Sequence, residues 1–193
     1  MIRKSDIDAR FEQAKIVQAA LQNEAETILR MAELVAGCLK KGNKVLFFGN
    51  GGSAADAQHL ACELAGRFYL DRPSLPALAL SVNTSSLTAI GNDFGFDAVF
   101  SRQIEGIGSA GDVAVAISTS GRSPNVIEGL KTAKKAGLIT LAFTGKSGGD
   151  MKGLADECLT VATDETPRVQ EAHILAGHII CELAERELFG ESQ

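Results

Sequence analysis

The chain has 193 residues, 45% apolar and 22% charged, with a net charge of −5. That length suits one domain with a full core, and the negative balance removes any electrostatic case for nucleic acid or an anionic membrane surface. No stretch approaches the ~18 apolar residues of a membrane span, and the opening Met1-Ile2-Arg3-Lys4-Ser5-Asp6 turns polar at once, so the expected compartment is the cytoplasm. Cys38, Cys62, Cys158 and Cys181 are scattered in apolar contexts without a CxxC pair, which reads as buried free thiols.

Residues 1–41 lack glycine and proline until Gly37, and Phe11, Ile16, Leu21, Ile28, Ala32 and Leu34 fall at helical spacing. They predict one or two amphipathic helices with no strand partner, packed either on the chain's own sheet or on a second subunit. From Gly42 the texture alternates: strand Lys44–Gly49, helix Ala54–Arg67, strand Ala77–Val82 and helix Ser85–Phe94. Then follow strand Asp112–Ser118, helix Pro124–Ala136, strand Ile139–Thr144, strand Glu157–Thr163 and helix Arg168–Leu188. Apolar strands alternating with helices predict an α/β, doubly wound, five-stranded parallel sheet with helices on both faces, preceded by N-terminal helices, in one domain over 1–193.

Two loops between a strand and a helix read as phosphate cradles. Gly49-Asn50-Gly51-Gly52-Ser53 follows the first strand, and Ser118-Thr119-Ser120-Gly121-Arg122-Ser123 follows the third. Small and hydroxyl residues leave backbone N–H groups uncovered, and the helix start adds unpaired donors and the positive end of the macrodipole. The first loop also fits a GxGxxA dinucleotide fingerprint, but its ribose-binding acid would be Asp71, which precedes the next strand instead of ending it. Gly145-Lys146-Ser147 resembles the end of a Walker A loop, but Thr140 stands where that motif needs glycine, leaving a solvent-facing turn.

All three histidines lie on two helices: His59 on the helix after the first cradle, His173 and His178 on the last. His59 and Glu63, four apart, share a helix face, an arrangement that can bind a divalent metal, place a base beside an acid, or simply face solvent. His178 lies in the apolar run Leu175–Cys181, where an imidazole is either a satisfied core residue or a group suited to proton transfer.

The segments GNGGSAADAQHLACELAGRF, IGNDFGFD, AISTSGRSPNV and RVQEAHILAGH together resemble the sugar isomerase (SIS) domains, and within them the phosphoheptose isomerases, over nearly the whole chain. The resemblance implies a flavodoxin-like sheet, a homotetramer with active sites at subunit interfaces, and conversion of sedoheptulose 7-phosphate to D-glycero-D-manno-heptose 7-phosphate; the unpartnered 1–41 helical segment is expected at a subunit interface. It also implies one zinc per subunit, held by His59, Glu63, Gln170 and His178, with Glu63 and His178 as base and acid. It places Asn50, Gly51, Gly52, Ser53, Asn92 and Asp93 along the sugar phosphate and Ser118, Thr119, Ser120 and Ser123 on its phosphate. Glu63 and Gln170 touch the sugar in the same scheme. Pro167 departs from the acidic residue common three positions before the glutamine; Asp164 or Glu165 would have to replace it. Gln170 and His178 are eight apart, ~12 Å along a regular helix, so sharing one ion requires that they lean together, that Gln170 precede the regular helix, or that ligands come from different chains. The rival reading is a non-catalytic SIS protein, either a scaffold for the replication initiator or a sugar-phosphate sensor. The scaffold lacks the carboxylate and imidazole that Glu63 and His178 supply here.

Overall fold

The computed structural model describes residues 1–190. Five strands run β1 Val45–Gly49, β2 Ala77–Ala79, β3 Val113–Ser118, β4 Ile139–Thr144 and β5 Glu157–Thr160. All four pairings are parallel, in the order β2-β1-β3-β4-β5. Every residue of β1 and β3 is buried, as expected of central strands covered on both faces. β2 and β5 stop short of the expected Val82 and Thr163, because both are edge strands with a partner on one side only.

Seven helices surround the sheet: α1 Lys4–Leu21, α2 Ala25–Lys40, α3 Gly52–Ala65, α4 Thr84–Phe94, α5 Ser101–Ile107, α6 Pro124–Lys135 and α7 Thr166–Phe189. α2, α3 and α7 cover one face, with Met31, Leu60, Leu64, Ile117 and Phe143 at the centre of that core. α5 and α6 cover the other, around Phe48, Phe100, Ile104 and Leu130, with Leu87 and Ile90 of α4 against it. α5 and the 3-10 turn Phe96–Ala98 before it were not expected from the sequence; seven residues are too few for a period to stand out. At the start of α4 the Asn83 side chain accepts the Ser86 N–H at 3.0 Å, which is why the helix begins there.

The N-terminal segment divides. α2 buries Met31, Val35 and Leu39 on the chain's own α7 and β5 side. α1 buries only Leu21, and Ile7, Phe11 and Ile16 remain 53%, 63% and 67% exposed. Cys38 and Cys181 are buried, and burial pushes their thiols up to about 11 and about 12, so they are inert. Cys62 departs from the buried reading: it lies on the exposed side of α3. Among the described residues no helix is long and apolar enough to cross a membrane.

Candidate active site

In the order 2-1-3-4-5 the winding reverses between β1 and β3, and ligands bind beyond the carboxyl ends of the strands at that point. Both cradles lie there. Gly51 caps α3 at φ 55°, ψ −121°, a backbone setting that an L side chain would resist, and so turns the chain sharply out of β1. Ser53 is buried one residue into the helix. Across the reversal, the Ser118 hydroxyl lies 3.0 Å from that of Ser123 and 3.5 Å from that of Ser120, whose oxygen accepts the Arg122 N–H. Thr119 lies half-buried between them, and Pro124 opens α6 where a missing N–H costs nothing.

Asn50 and Asn125 join the two loops. Each amide donates to the other's carbonyl oxygen at 2.8 Å, and Asn125 Oδ1 also accepts the Val126 N–H at 3.0 Å. Asn125, fully enclosed, was missed as a site residue although it ends the motif STSGRSPN; in sequence it looked like an ordinary first-turn residue of α6. The loop after β4 backs the second cradle. Gly145 N–H donates to Thr119 O, and the N–H groups of Asp150 and Met151 donate to Gly121 O. Lys146 and Ser147 face solvent, as a turn without a Walker role would have them.

A second constellation forms where α3 meets α7. A Cβ on Gly177 would fall 2.6 Å from Leu60 Cδ1, so the absence of a side chain there lets the helices approach closely. His178 then reaches His59, with the two Nε2 atoms 2.8 Å apart, and His59 Nε2 lies 3.1 Å from Glu63 Oε1. The three side chains offer ligand atoms that all lie within 4.8 Å of one another. Without an ion between them, one Nε2 carries a proton that the other accepts. Two imidazole nitrogens and a carboxylate oxygen, half-open to solvent, are the donor set of a three-ligand zinc site with a free position, and these residues fit that ion. His178 is thus no satisfied core residue.

Gln170 is placed apart from this trio. Its amide presses on the Cα of Gly52, at the first cradle, where any Cβ would overlap it. α7 is one continuous helix from Thr166 to Phe189, so the leaning and pre-helical routes from Gln170 to His178 are both closed within one protomer. Asn92 and Asp93 stand exposed on α4, hydrogen-bonded to each other at 2.7 Å, with Asp93 lining a groove alongside Val82 and Phe94. Asp56, between Gly52 and His59 on α3, has a buried Oδ2 without a hydrogen-bond partner among the described residues, and burial pushes its carboxyl up to about 6.

His173, the third histidine, is structural. Its Nε2–H donates to Thr144 O at 3.1 Å at the end of β4, and burial pushes its pKa down to about 4. A neutral imidazole is therefore built into the fold. Stability tied to it is fully present above pH 6.5, the unfolded value, and is lost as pH falls towards 4, by about 3 kcal/mol in all. Urea unfolding at pH 7 and at pH 4.5 checks this: His173→Gln should flatten the loss between the two, and an unchanged loss would show that other groups cause it.

The SIS domain family matches residues 11–145. The chain belongs to the SIS domain family. A phosphoheptose isomerase of Sulfurimonas denitrificans is 51% identical over 97% of this chain and 96% of its own. The structure of phosphoheptose isomerase GmhA from Neisseria gonorrhoeae superposes with a TM-score of 0.90 at 42% identity, covering 94% of this chain and 98% of that one. A phosphoheptose isomerase from Francisella tularensis gives 0.93 at 33% identity, covering 96% and 100%. The expected five-stranded, doubly wound sheet with N-terminal helices is the SIS fold seen in these structures.

Proposed function

We propose that this SIS chain is a phosphoheptose isomerase, converting sedoheptulose 7-phosphate to D-glycero-D-manno-heptose 7-phosphate in the cytoplasm, for surface-heptose precursor synthesis. The observation that carries the reading is the convergence of Glu63, His59 and His178 from α3 and α7, in a chain about half identical to named phosphoheptose isomerases. A non-catalytic scaffold has no need of a carboxylate and two imidazoles held within hydrogen-bond reach.

The reaction moves a proton from C1 to C2 and another from O1 to O2, through an enediol. Glu63 takes the proton from C1 and returns it to C2. His178 passes the other proton between the oxygens, with His59 beside it fixing which nitrogen carries it. Ser118, Thr119, Ser120 and Ser123 hold the phosphate with the N–H groups that open α6, and Asn50, Gly51, Gly52 and Ser53 align the sugar from α3. Asn92 and Asp93 contact the sugar from α4. Gripping the remote phosphate lowers the entropy of reaching the transition state without touching the reacting carbons. His59, Glu63 and His178, with Gln170, are the residues that would hold one zinc per subunit. When bound, the ion would supply a Lewis acid.

Helix length supports an oligomeric site. His59 and Glu63 stand seven and eleven residues beyond Gly52, ~10 and ~16 Å down α3. An open heptose phosphate built from ~1.5 Å bonds spans roughly 10 Å, part of it inside the cradle. One sugar therefore bridges a cradle and a trio most readily when they come from different subunits. A homotetramer, with the exposed apolar side of α1 in its contacts, meets that need and would return Gln170 to a trio of another subunit.

A coupled assay with sedoheptulose 7-phosphate, with and without chelator and added zinc, tests the reading. Aldoheptose phosphate should form, stop with chelator and resume with zinc. Ligand binding without conversion under any metal would establish the sensor or scaffold instead.

A further inference from the structure

Glu185 and Arg72 form an enclosed ion pair, with side chains 2% and 1% exposed and Arg72 Nε 2.8 Å from Glu185 Oε1. Neither is needed to bind sugar or phosphate in the reading above. Their hydrogen bonds lead to the catalytic trio by two routes. The Glu185 carboxylate accepts the backbone N–H groups of Phe68, Tyr69 and Leu70 at 2.9, 2.7 and 2.9 Å. These bonds and the guanidinium hold its carboxyl down at about 2 despite burial. Arg72 turns its other donors onto the end of α3. Nη2–H donates to the carbonyl of Glu63 at 2.9 Å, and Nη1–H to those of Leu64 and Gly66 at 2.8 and 3.2 Å. Nη1–H also donates to Pro73 O at 3.0 Å; the Glu63 and Leu64 carbonyls lie in the last turn of α3, where intrahelical partners run out, and a cation beside them also opposes the negative end of the dipole.

Segment 66–72, held in this way, presents Phe68 to the site. The Phe68 ring meets the His178 ring edge-on, with centroids 5.9 Å apart, while His59 lies on His178 at 5.0 Å. The His178 imidazole is thus confined between an aromatic wall and its hydrogen-bond partner. Glu185 lies seven residues after His178, two turns along α7, so one helix carries both the acid and the carboxylate that fixes its wall. A solvated loop needs no carboxylate taking three N–H groups, nor an arginine donating to four carbonyls; both are placed on the backbone beside Glu63 and His178.

We propose that Glu185 and Arg72 are positioning residues for the isomerisation: they fix segment 66–72 so that Phe68 holds the His178 imidazole against His59 and Glu63. The proposal rests on the isomerase reading and adds a determinant of its rate. It touches no phosphate or sugar group, so its loss lowers kcat and leaves KM alone.

The test is steady-state kinetics on the full chain with sedoheptulose 7-phosphate, for wild type, Phe68→Ala, Phe68→Tyr and Glu185→Gln, each checked for folding by circular dichroism. Phe68→Ala and Glu185→Gln should lower kcat about tenfold or more with KM within about twofold. Phe68→Tyr, which keeps the ring, should recover at least roughly half of the wild-type kcat. Phe68→Ala with a wild-type kcat, or with a raised KM and unchanged kcat, overturns the proposal. If Glu185→Gln fails to fold, because it leaves a buried arginine uncompensated, the two Phe68 variants decide alone. A wild-type chain that binds the sugar phosphate but does not turn it over overturns the isomerase reading, and this proposal with it.

Discussion

Glu63→Gln should lower turnover of sedoheptulose 7-phosphate by about a thousandfold, within the 10²–10⁴ range of a positioned general base, while sugar-phosphate affinity changes little. The carboxylate sits half-buried, 3.1 Å from His59 Nε2, in the trio that offers the chain's acid–base groups together. Glutamine keeps the shape and one acceptor oxygen but cannot take a proton from carbon. Affinity should survive because the proposed phosphate grip lies elsewhere, in the serine hydroxyls and N–H groups at the start of α6. Two readouts check this: kcat by coupled assay, and wash-in of solvent deuterium at C1 and C2 of the sugar. Near-normal turnover, or exchange persisting at the wild-type rate, would remove Glu63 from the role of base.

Gly121→Ala should raise KM for the sugar phosphate about tenfold or more, with a smaller effect on kcat. Gly121 has φ 64°, where an L residue costs ~1–2 kcal/mol. The new Cβ would also be driven into the backbone of Gly148 and Gly149, and overpacking of that kind costs a further ~1–3 kcal/mol. That backbone cannot retreat freely, since Asp150 and Met151 donate their N–H groups to Gly121 O and Gly145 donates to Thr119 O. The strain is relieved most easily by moving the Ser118–Ser123 loop, the proposed phosphate grip. Calorimetric titration with inorganic phosphate reads the same loss without catalysis. An unchanged KM and phosphate affinity would mean that the cradle does not include this loop.

The two predictions separate the functions of the two constellations. In the proposed mechanism Glu63 acts on the reacting carbons and should appear in kcat, whereas Gly121 shapes the grip on the remote end and should appear in KM. A variant set that moved both parameters together would argue against this division.

Much of this was readable in the linear chain. Short apolar runs such as Val113–Ile117, bounded by turn residues and alternating with helices, read as central parallel strands, because both their faces need cover. Glycine and serine runs directly after such strands mark the cradles, since close backbone approach and free N–H groups require small side chains there. His59 and Glu63 could be paired from their spacing alone, as a helix brings every fourth residue to one face. The sequence motifs also pointed to the SIS family before any tertiary arrangement was known, and the matched structures bear that out.

Other features depended on how separate segments meet. Nothing local to His178 shows that Gly177 lets α7 close on α3 so that two imidazoles lie 2.8 Å apart. The Asn50–Asn125 amide pair joins residues 75 apart, and Arg72 with Glu185 joins residues 113 apart, each through contacts that exist only once the sheet has formed. The separation of Gln170 from His178 was visible in the numbering, but only a continuous α7 shows that no bend brings them together. Sequence by itself determined the periodic elements and the loop chemistry, because those follow from backbone sterics and side-chain size within a few residues. Tertiary structure decided which histidine is buried against a strand carbonyl and which two meet beside a carboxylate, because desolvation and hydrogen-bond partners come from elsewhere in the chain.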